Sequence, residues 1–281
     1  MTREALTAST DALRAAGIDD PRLDAELLLA EATGWDRARL AANPEAEIPP
    51  PAARRFGEMV RRRLRREPVA YILGHRGFRR IELAVDPRVL IPRPETELLV
   101  ELALELRPSS ALDLGTGLGA IALAVADELP GCAVTAADTS AAALEVARAN
   151  AERLDLADRV RFVEGSLPPG EEFDLILANL PYVAEADWPS LQPEVTEWEP
   201  REALLAGPDG LDAIRGFLSD RVRVLSRYPR QNTNSARGIV GLEVGEGQAD
   251  VVGEMLGEAG FGEIEVRADL AGIERVVIGR R

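Results

Sequence analysis

The chain has 281 residues, 46% hydrophobic and 29% charged, which is enough to bury a sizeable core in one or two domains. A net charge of −15 argues against broad binding to nucleic-acid phosphates. All 33 basic residues are arginine, with one histidine and one cysteine, so lysine chemistry and an intrachain disulfide are excluded, and a histidine triad or a metal site is disfavoured.

Residues 1–72 predict a small helical domain, because they lack the alternation of apolar and polar residues that strands show. Gly17, Gly34 and a run of three prolines from Pro49 mark breaks, and Asp20-Pro21 marks a helix start. Six residues near the end of this domain, Arg61 to Arg66, include five arginines. That run fits either a solvated helix face or a docking patch for an acidic protein or RNA.

Residues 73–92 predict a hinge followed by a β-hairpin that turns at Asp86-Pro87. From residue 93 to residue 281, strand-like and helix-like segments alternate, which is typical of a parallel sheet covered by helices on both faces. The last two strand-like segments are joined by only a short turn. They therefore predict an antiparallel hairpin at one edge of this α/β sheet.

A glycine-rich turn follows the strand-like run from Ser110 to Leu114 and precedes an apolar helical run. Such a turn lets a ligand approach the backbone and directs the N–H groups of a helix N-terminus toward it. The next strand ends at Asp138, where a carboxylate can bind ribose hydroxyls. These features predict a nucleoside-bearing cofactor and leave NAD and S-adenosylmethionine open. The predicted contacts in the turn are Gly115, Thr116, Gly117, Leu118 and Gly119.

The tetrapeptide Asn179-Leu180-Pro181-Tyr182 follows another strand-like run. The Asn179 side-chain oxygen and the Leu180 carbonyl can both accept hydrogen bonds from one planar NH2 group. Pro181 fixes its own φ and has no competing N–H, and Tyr182 offers a flat face. An amide or aromatic amine is a poor nucleophile that needs such positioning. The tetrapeptide therefore favours a methyltransferase that acts on an amino group over a hydride-transfer enzyme.

Eight separated segments, taken together, are specific through their order and spacing. They are Pro68–Gly74, Val89–Glu97, Asp113–Ala122, Asn179–Tyr182, Glu199–Arg201, Gly207–Asp212, Asp269–Gly272 and Arg275–Val277. The most specific stretch among them is Arg93-Pro94-Glu95-Thr96-Glu97, ahead of the glycine turn. Over nearly the whole chain, these segments resemble the release-factor-modifying (HemK/PrmC) family of protein-glutamine methyltransferases.

The resemblance implies a class I, Rossmann-like methyltransferase domain over residues 93–281 and a substrate-docking domain over residues 1–72. It implies S-adenosylmethionine as cofactor, held by the glycine turn, Asp138, Ser166, Leu167 and Asn179, with residues 179–182 as the catalytic clamp. The methyl group would pass by direct in-line displacement to a glutamine in the Gly-Gly-Gln loop of peptide chain release factors. We expect a cytoplasmic monomer that contacts no membrane and meets nucleic acid only indirectly, if at all.

Three positions depart from the family pattern. Leu180 stands where a proline is usual, Gly165-Ser166-Leu167 lacks the usual acidic residue that faces adenine, and Tyr228–Ser235 replaces a short turn. Leucine at the position of Leu180 is also common in RNA adenine methyltransferases. The alternatives are thus an adenine amino-methyltransferase acting on nucleic acid, a glutamine methyltransferase with another protein substrate, and a non-catalytic cofactor-binding protein.

Overall fold

The computed structural model describes residues 1–166, 171–221 and 238–281, so the Tyr228–Ser235 loop lies outside the described residues. The chain divides into two compact units. The first is helical and contains Met1–His75 with Gln192–Trp198, and the second contains Arg76–Leu191 with Glu199–Arg281. In these described ranges, no helix combines the length and the apolar character needed to cross a membrane.

The chain alternates between helices and strands after an all-helical start. The helices are α1 (Thr2–Ala15), α2 (Pro21–Thr33), α3 (Arg37–Ala42), α4 (Pro50–Arg63), α5 (Val69–Leu73), α6 (Glu97–Leu106), α7 (Ala120–Glu128), α8 (Ala141–Arg153), α9 (Pro193–Thr196), α10 (Asp212–Arg221) and α11 (Ala249–Glu258). The strands are β1 (His75–Phe78), β2 (Ile81–Ala84), β3 (Ser110–Leu114), β4 (Ala133–Asp138), β5 (Val160–Glu164), β6 (Leu175–Ala178), β7 (Ile239–Glu243), β8 (Glu263–Ala268) and β9 (Glu274–Arg280).

The helical unit forms around buried side chains of its first helices, among them Leu13, Leu28 and Phe56. Helices α2 and α4 both begin at a proline, whose fixed φ suits the first turn and whose missing N–H is not needed there. The predicted helix start at Asp20-Pro21 is confirmed. The chain breaks predicted at Gly17 and Gly34 also hold, since both residues adopt positive φ just past a helix end.

The arginine run at the end of α4 is largely used inside the helical unit. The buried Arg63 guanidinium pairs with Asp24 at 2.7 Å and with Glu194 at 2.6 Å. Arg66 also pairs with Glu194 at 2.6 Å, and Arg62 with Glu67 at 2.5 Å. The expectation that the whole run is a solvated face or a docking patch is therefore wrong for Arg63 and Arg66, whose side chains are 8% and 17% exposed.

These ion pairs explain why the short segment Gln192–Trp198, which contains α9, belongs to the helical unit. The sequence predicted an uninterrupted methyltransferase domain over residues 93–281. The structure differs because Glu194 supplies carboxylate oxygens to Arg63 and Arg66, which lie more than a hundred residues earlier in the chain. A buried guanidinium needs such partners, since an unpaired buried charge is strongly destabilising.

The second unit is built on a seven-stranded sheet with the order β5-β4-β3-β6-β7-β9-β8. The first five strands in that order are parallel, and β9 runs antiparallel to both β7 and β8. The predicted parallel sheet with an antiparallel hairpin edge is confirmed. The register pairs Leu114 with Ala137 and with Ala178, and Ala178 with Leu242, so the carboxyl ends of four neighbouring strands share one edge.

The predicted hairpin exists, but its turn lies elsewhere. Strands β1 and β2 pair and turn at Arg79-Arg80, not at Asp86-Pro87. Arg79 adopts a φ of 53° and is held in that conformation by its side chain, which pairs with Glu128 at 2.9 Å. The Asp86-Pro87 pair forms a separate turn after β2, in which the Val89 N–H donates to the Asp86 carbonyl at 3.1 Å. Proline thus marks a turn there, but not one between paired strands.

Candidate active site

A cavity of about 440 Å³ lies in the second unit at the carboxyl edge of the parallel strands. That size is within the range of small-molecule and cofactor sites. Of the predicted site residues, those that line the cavity are Gly115, Gly117, Asp138, Ser166, Asn179, Leu180 and Pro181. Lining residues that the sequence interpretation missed include Val89, Leu90, Pro200, Ala203 and Phe217. The first four lie in or beside segments singled out by the family resemblance, which was a usable signal, whereas Phe217 on α10 carried none.

The glycine turn between β3 and α7 is bound tightly to the next strand. The N–H groups of Gly115 and Thr116 both donate to the Ala137 carbonyl, at 2.9 and 3.0 Å. Gly117 has a φ of 55°, and a Cβ built on it would meet nothing within 4 Å. The backbone at Gly117 is therefore open to a ligand in the cavity that it lines.

Asp113 organises this turn from beneath. Its Oδ2 accepts hydrogen bonds from the Thr116 hydroxyl at 2.5 Å and from the Ala122 N–H at 3.0 Å. Burial raises the pKa of Asp113 to about 7, partly offset by those two donors. Thr116 is buried against Asp113, and Leu118 and Gly119 do not line the cavity. These three residues shape the turn, and their contact with the cofactor stays a prediction.

Asp138 ends β4 with both carboxylate oxygens oriented by backbone groups. Gly117 N–H donates to Oδ2 and Ser140 N–H donates to Oδ1, each at 2.8 Å. Every carboxylate oxygen has a second lone pair, so Asp138 can still accept hydrogen bonds from a ligand in the cavity. The carboxylate therefore joins the glycine turn to the loop after β4 and has acceptor capacity for ribose hydroxyls.

Ser166 also lines the cavity, next to Gly165, whose N–H donates to the Asp138 carbonyl at 2.8 Å. This bond places the loop after β5 beside the loop after β4. Leu167, the other predicted contact in this loop, lies outside the described residues.

Asn179 lies immediately after β6 with its side chain oriented by one hydrogen bond. Its Nδ2 donates to the Thr96 Oγ1 at 3.0 Å, and Thr96 is itself buried. Because the amide nitrogen is used in this way, Oδ1 is the side-chain atom left to accept a hydrogen bond. Leu180 follows on the cavity wall and approaches the glycine turn so closely that a Cβ on Gly115 would lie 3.2 Å from its Cδ2.

Tyr182 anchors the turn and is not among the residues that line the cavity. Its carbonyl accepts from Gln248 Nε2 at 3.0 Å, while Gln248 Oε1 accepts from the Gly245 N–H at 2.8 Å. The ring lies so close to Gly245 that a Cβ there would come within 3.2 Å of Tyr182 Cδ2. Burial, followed by the nearby Glu243, raises the pKa of the Tyr182 hydroxyl to about 12. The ring therefore remains a neutral packing group.

The arrangement brings together the Asp138 carboxylate, an open glycine backbone and the Asn179-Leu180 turn in one cavity. The sequence-predicted convergence of the glycine turn, Asp138 and Asn179 is what the strand register produces. Such a site can hold a nucleoside-bearing molecule and orient an NH2 group beside it. The described ranges hold no group of three or more histidine, cysteine, aspartate or glutamate residues that could bind a metal ion.

Two family models match the chain. The PrmC N-terminal domain matches residues 4–74, and the methyltransferase small domain matches residues 94–192. A protein of Caulobacter vibrioides named release factor glutamine methyltransferase is 39% identical over 98% of this chain and 95% of its own length. One of the same name from Rhodopirellula baltica is 41% identical over 96% of this chain and 92% of its own length.

Solved structures share the fold at low sequence identity. The catalytic domain of human Mettl16 in complex with a 3'UTR hairpin has a TM-score of 0.56 and 14% identity, over 70% of this chain and 74% of that chain. A methyltransferase from Pyrococcus furiosus has a TM-score of 0.50 and 20% identity, over 70% of this chain and 87% of that one. These similarities support the Rossmann-like methyltransferase fold of the second unit.

Proposed function

The chain belongs to the family of release factor glutamine methyltransferases, and on that premise we propose that it methylates the side-chain amide nitrogen of a glutamine in a peptide chain release factor. The observation that carries the proposal is the orientation of Asn179. Its Nδ2 is engaged by Thr96, so its Oδ1 is left to accept a hydrogen bond on the cavity wall. Within the release factor we propose the Gly-Gly-Gln loop as the methylated segment, and the cytoplasm, where translation ends, as the location.

The cofactor is S-adenosylmethionine, which when bound supplies a methyl group activated by its sulfonium. We propose that Asp138 accepts the ribose hydroxyls and that the backbone at Gly115 and Gly117 lies against the ligand. Ser166 and Leu167 are proposed to flank the base, with Phe217 adding an apolar wall that the sequence did not predict. The open space at Gly117 and the acceptor capacity of Asp138 support this fit.

The chain's own contribution to the reaction is proposed to be positioning. Asn179 Oδ1 and the Leu180 carbonyl accept hydrogen bonds from the glutamine NH2 and so fix the direction of its weakly nucleophilic lone pair. Pro181 and Tyr182 hold the turn that carries these two acceptors. No strong base is required, since the nitrogen becomes acidic once it is methylated and can release its proton to water. The two acceptors also stabilise positive charge that develops on this nitrogen.

To test the proposal, the full-length enzyme is incubated with labelled S-adenosylmethionine and purified release factor. A second reaction contains RNA in place of the release factor. We expect label in the release factor and none in RNA. Label in RNA alone would replace this function by adenine amino-methylation, and label in no protein and no RNA would reduce the chain to a cofactor-binding protein. A panel of other glutamine-containing proteins in the same assay distinguishes a different protein substrate.

The helical unit is proposed to dock the body of the release factor, since about seventy residues are far more than recognition of one side chain requires. A surface of roughly 800 Å² per partner is standard for specific complexes. Arg61 and Arg65 are the exposed arginines of the run at the end of α4, and the described residues show no ion pair for either. They are the proposed electrostatic contacts. We also propose that the enzyme acts as a monomer.

Reversing the charge of Arg61 or Arg65 to glutamate should lower kcat/KM for intact release factor by about two- to fivefold at low salt, as expected for one rim charge. The effect should shrink as salt rises, because exposed charges are screened. Arg76→Glu, an equal change at an exposed arginine of the second unit, is the control. If all three variants behave alike, the helical unit does not dock its substrate through these arginines.

A further inference from the structure

The segment Arg93–Glu97 is among the most specific sequence features of the chain, yet it contributes no residue to the cavity wall. The segment instead contacts a residue that forms part of that wall. Its Thr96 is buried and accepts a hydrogen bond from the Asn179 side-chain nitrogen at 3.0 Å. Thr96 therefore touches the residue that the proposed function makes central.

Glu243 completes this contact from the neighbouring strand. Ala178 on β6 pairs with Leu242 on β7, so Asn179 and Glu243 are the next residues along two adjacent strands. The Thr96 hydroxyl lies near the Glu243 carboxylate and lowers the pKa of that group as a hydrogen-bond donor does, and Glu243 Oε1 lies 3.5 Å from the Tyr182 hydroxyl. Glu243 is 2% exposed, and its Oε2 has no hydrogen-bond partner among the described residues. A buried carboxylate with an unpartnered oxygen is costly and calls for a reason other than stability.

The donor and acceptor capacities of Glu243, Thr96 and Asn179 determine which way the hydrogen bonds among them run. An ionised Glu243 carboxylate can only accept, so it favours a Thr96 hydroxyl whose single proton points toward it. The Thr96 oxygen can then only accept a hydrogen bond from Asn179. Asn179 must therefore present its NH2 group to Thr96 and its oxygen to the opposite side. If the Asn179 amide were reversed, its own NH2 group would face the NH2 group of the substrate, and two donors cannot form a hydrogen bond with each other.

We propose that Glu243 and Thr96 are positioning residues that hold the Asn179 amide with its oxygen toward the substrate glutamine. The inference rests on the proposed function, because it explains how that amide comes to be oriented for an NH2 substrate. Neither residue needs to touch substrate or cofactor, since both act through Asn179.

The same three residues, Glu243, Thr96 and Asn179, make turnover depend on pH. A protonated Glu243 can donate to the Thr96 oxygen, which lets Thr96 donate to Asn179 Oδ1 and reverses the amide. Burial raises the pKa of Glu243 to about 7. The charged groups around it are Glu95, which raises that pKa further, and Arg275 and Arg93, which lower it, together with the Tyr182 hydroxyl. Turnover should therefore be high above about pH 7 and fall about tenfold for each unit below it.

The kinetic test uses three substitutions in the full-length enzyme. Thr96→Val, which removes the hydroxyl, should lower kcat for release factor methylation by about 10–100-fold and leave the Kd for S-adenosylmethionine within about twofold. Thr96→Ser should restore kcat to within about threefold, since it keeps the hydroxyl. Glu243→Gln should remove the fall in turnover below pH 7. Thr10→Val, an equal change at a buried threonine of the helical unit, is the control for loss of a hydroxyl.

A readout independent of activity is the side-chain amide NMR signal of Asn179, identified by its loss in Asn179→Ala. In the parent it should move with a midpoint near pH 7, as burial of Glu243 dictates. That titration should be absent in Glu243→Gln, and the signal should shift in Thr96→Val. An amide signal that ignores both pH and these substitutions overturns the inference, as does a Thr96→Val enzyme with kcat within about threefold of the parent. If the parent methylates no release factor while the amide titrates as expected, the proposed function fails and the orientation of Asn179 stands.

Discussion

Replacing Asn179 by alanine should lower the single-turnover rate of methyl transfer to release factor by about 10²–10³-fold. The substitution removes one of the two acceptors proposed to orient the glutamine NH2, and the Leu180 carbonyl alone cannot fix its direction. The loss is comparable to that of one preorganised polar contact at a reacting centre. The Kd for S-adenosylmethionine should change far less, because the freed Asn179 oxygen is assigned to the substrate. Rapid-quench measurement with saturating cofactor checks the rate.

The matched control is Leu180→Pro at the neighbouring position. It keeps the backbone carbonyl, although it removes the N–H of residue 180, fixes its φ and replaces a side chain that packs toward Gly115. We therefore expect turnover within a few-fold of the parent. If Asn179→Ala transfers methyl groups as fast as the parent, the two-acceptor description of the site is wrong.

Replacing Asp138 by alanine should weaken S-adenosylmethionine binding by about tenfold to a hundredfold. Hydrogen bonds to a charged group contribute about 1.5–3 kcal/mol each, and a tenfold change in Kd corresponds to about 1.4 kcal/mol. The structure adds a second consequence. Gly117 and Ser140 N–H groups both lose their acceptor, so the free energy of unfolding should also fall, by about 1–3 kcal/mol.

Calorimetric titration gives the affinity and thermal unfolding gives the stability of the Asp138→Ala enzyme. Asp127→Ala, at an exposed aspartate on α7, is the control and should change neither quantity. Unaltered cofactor affinity in Asp138→Ala would remove this carboxylate from the cofactor site. Tight binding of NAD by the parent, with none for S-adenosylmethionine, would contradict the assignment as a whole.

The sheet could be predicted because each of its sequence signals lies within a few consecutive residues. The short connection between the last two strands permits only a hairpin, and β8 and β9 pair in that way. The glycine turn and the strand end at Asp138 are likewise signalled by consecutive residues. Since parallel strands share one carboxyl edge, the meeting of the glycine turn, Asp138 and Asn179 followed from the alternation of strands and helices.

The missed features depend on contacts between distant residues. Arg79 occupies a left-handed turn that a pattern of residue types does not favour, and its guanidinium is held by Glu128 at 2.9 Å. The pairing of Arg63 with Glu194 joins residues more than a hundred positions apart. The sequence signals at the end of α4 could not show that arginines of this run pair with carboxylates of their own unit. Such pairings depend on which elements pack together, and no short window of sequence contains that information.

The contacts among Glu243, Thr96 and Asn179 could not be predicted from the sequence for a related reason. Its members come from three separate segments, and only the register of β6 with β7 places Glu243 beside the turn. The sequence interpretation recognised the segment around Thr96 and the turn at Asn179 as features, but not the hydrogen bond between them. The sequence also did not show that the Tyr182 carbonyl is held by Gln248 and that its ring lies against Gly245. The contact of the Tyr182 ring with the substrate amide stays a prediction.

Locating the transferred methyl group tests the proposed glutamine methylation most sharply. Purified release factor is incubated with full-length enzyme and S-adenosylmethionine, then digested and mapped by tandem mass spectrometry, with Asn179→Ala as the matched enzyme control. We expect one added methyl group, on the side-chain nitrogen of the glutamine in the Gly-Gly-Gln loop, and almost none with Asn179→Ala over the same time. A methyl group on any other residue, with that glutamine unmodified, would contradict it.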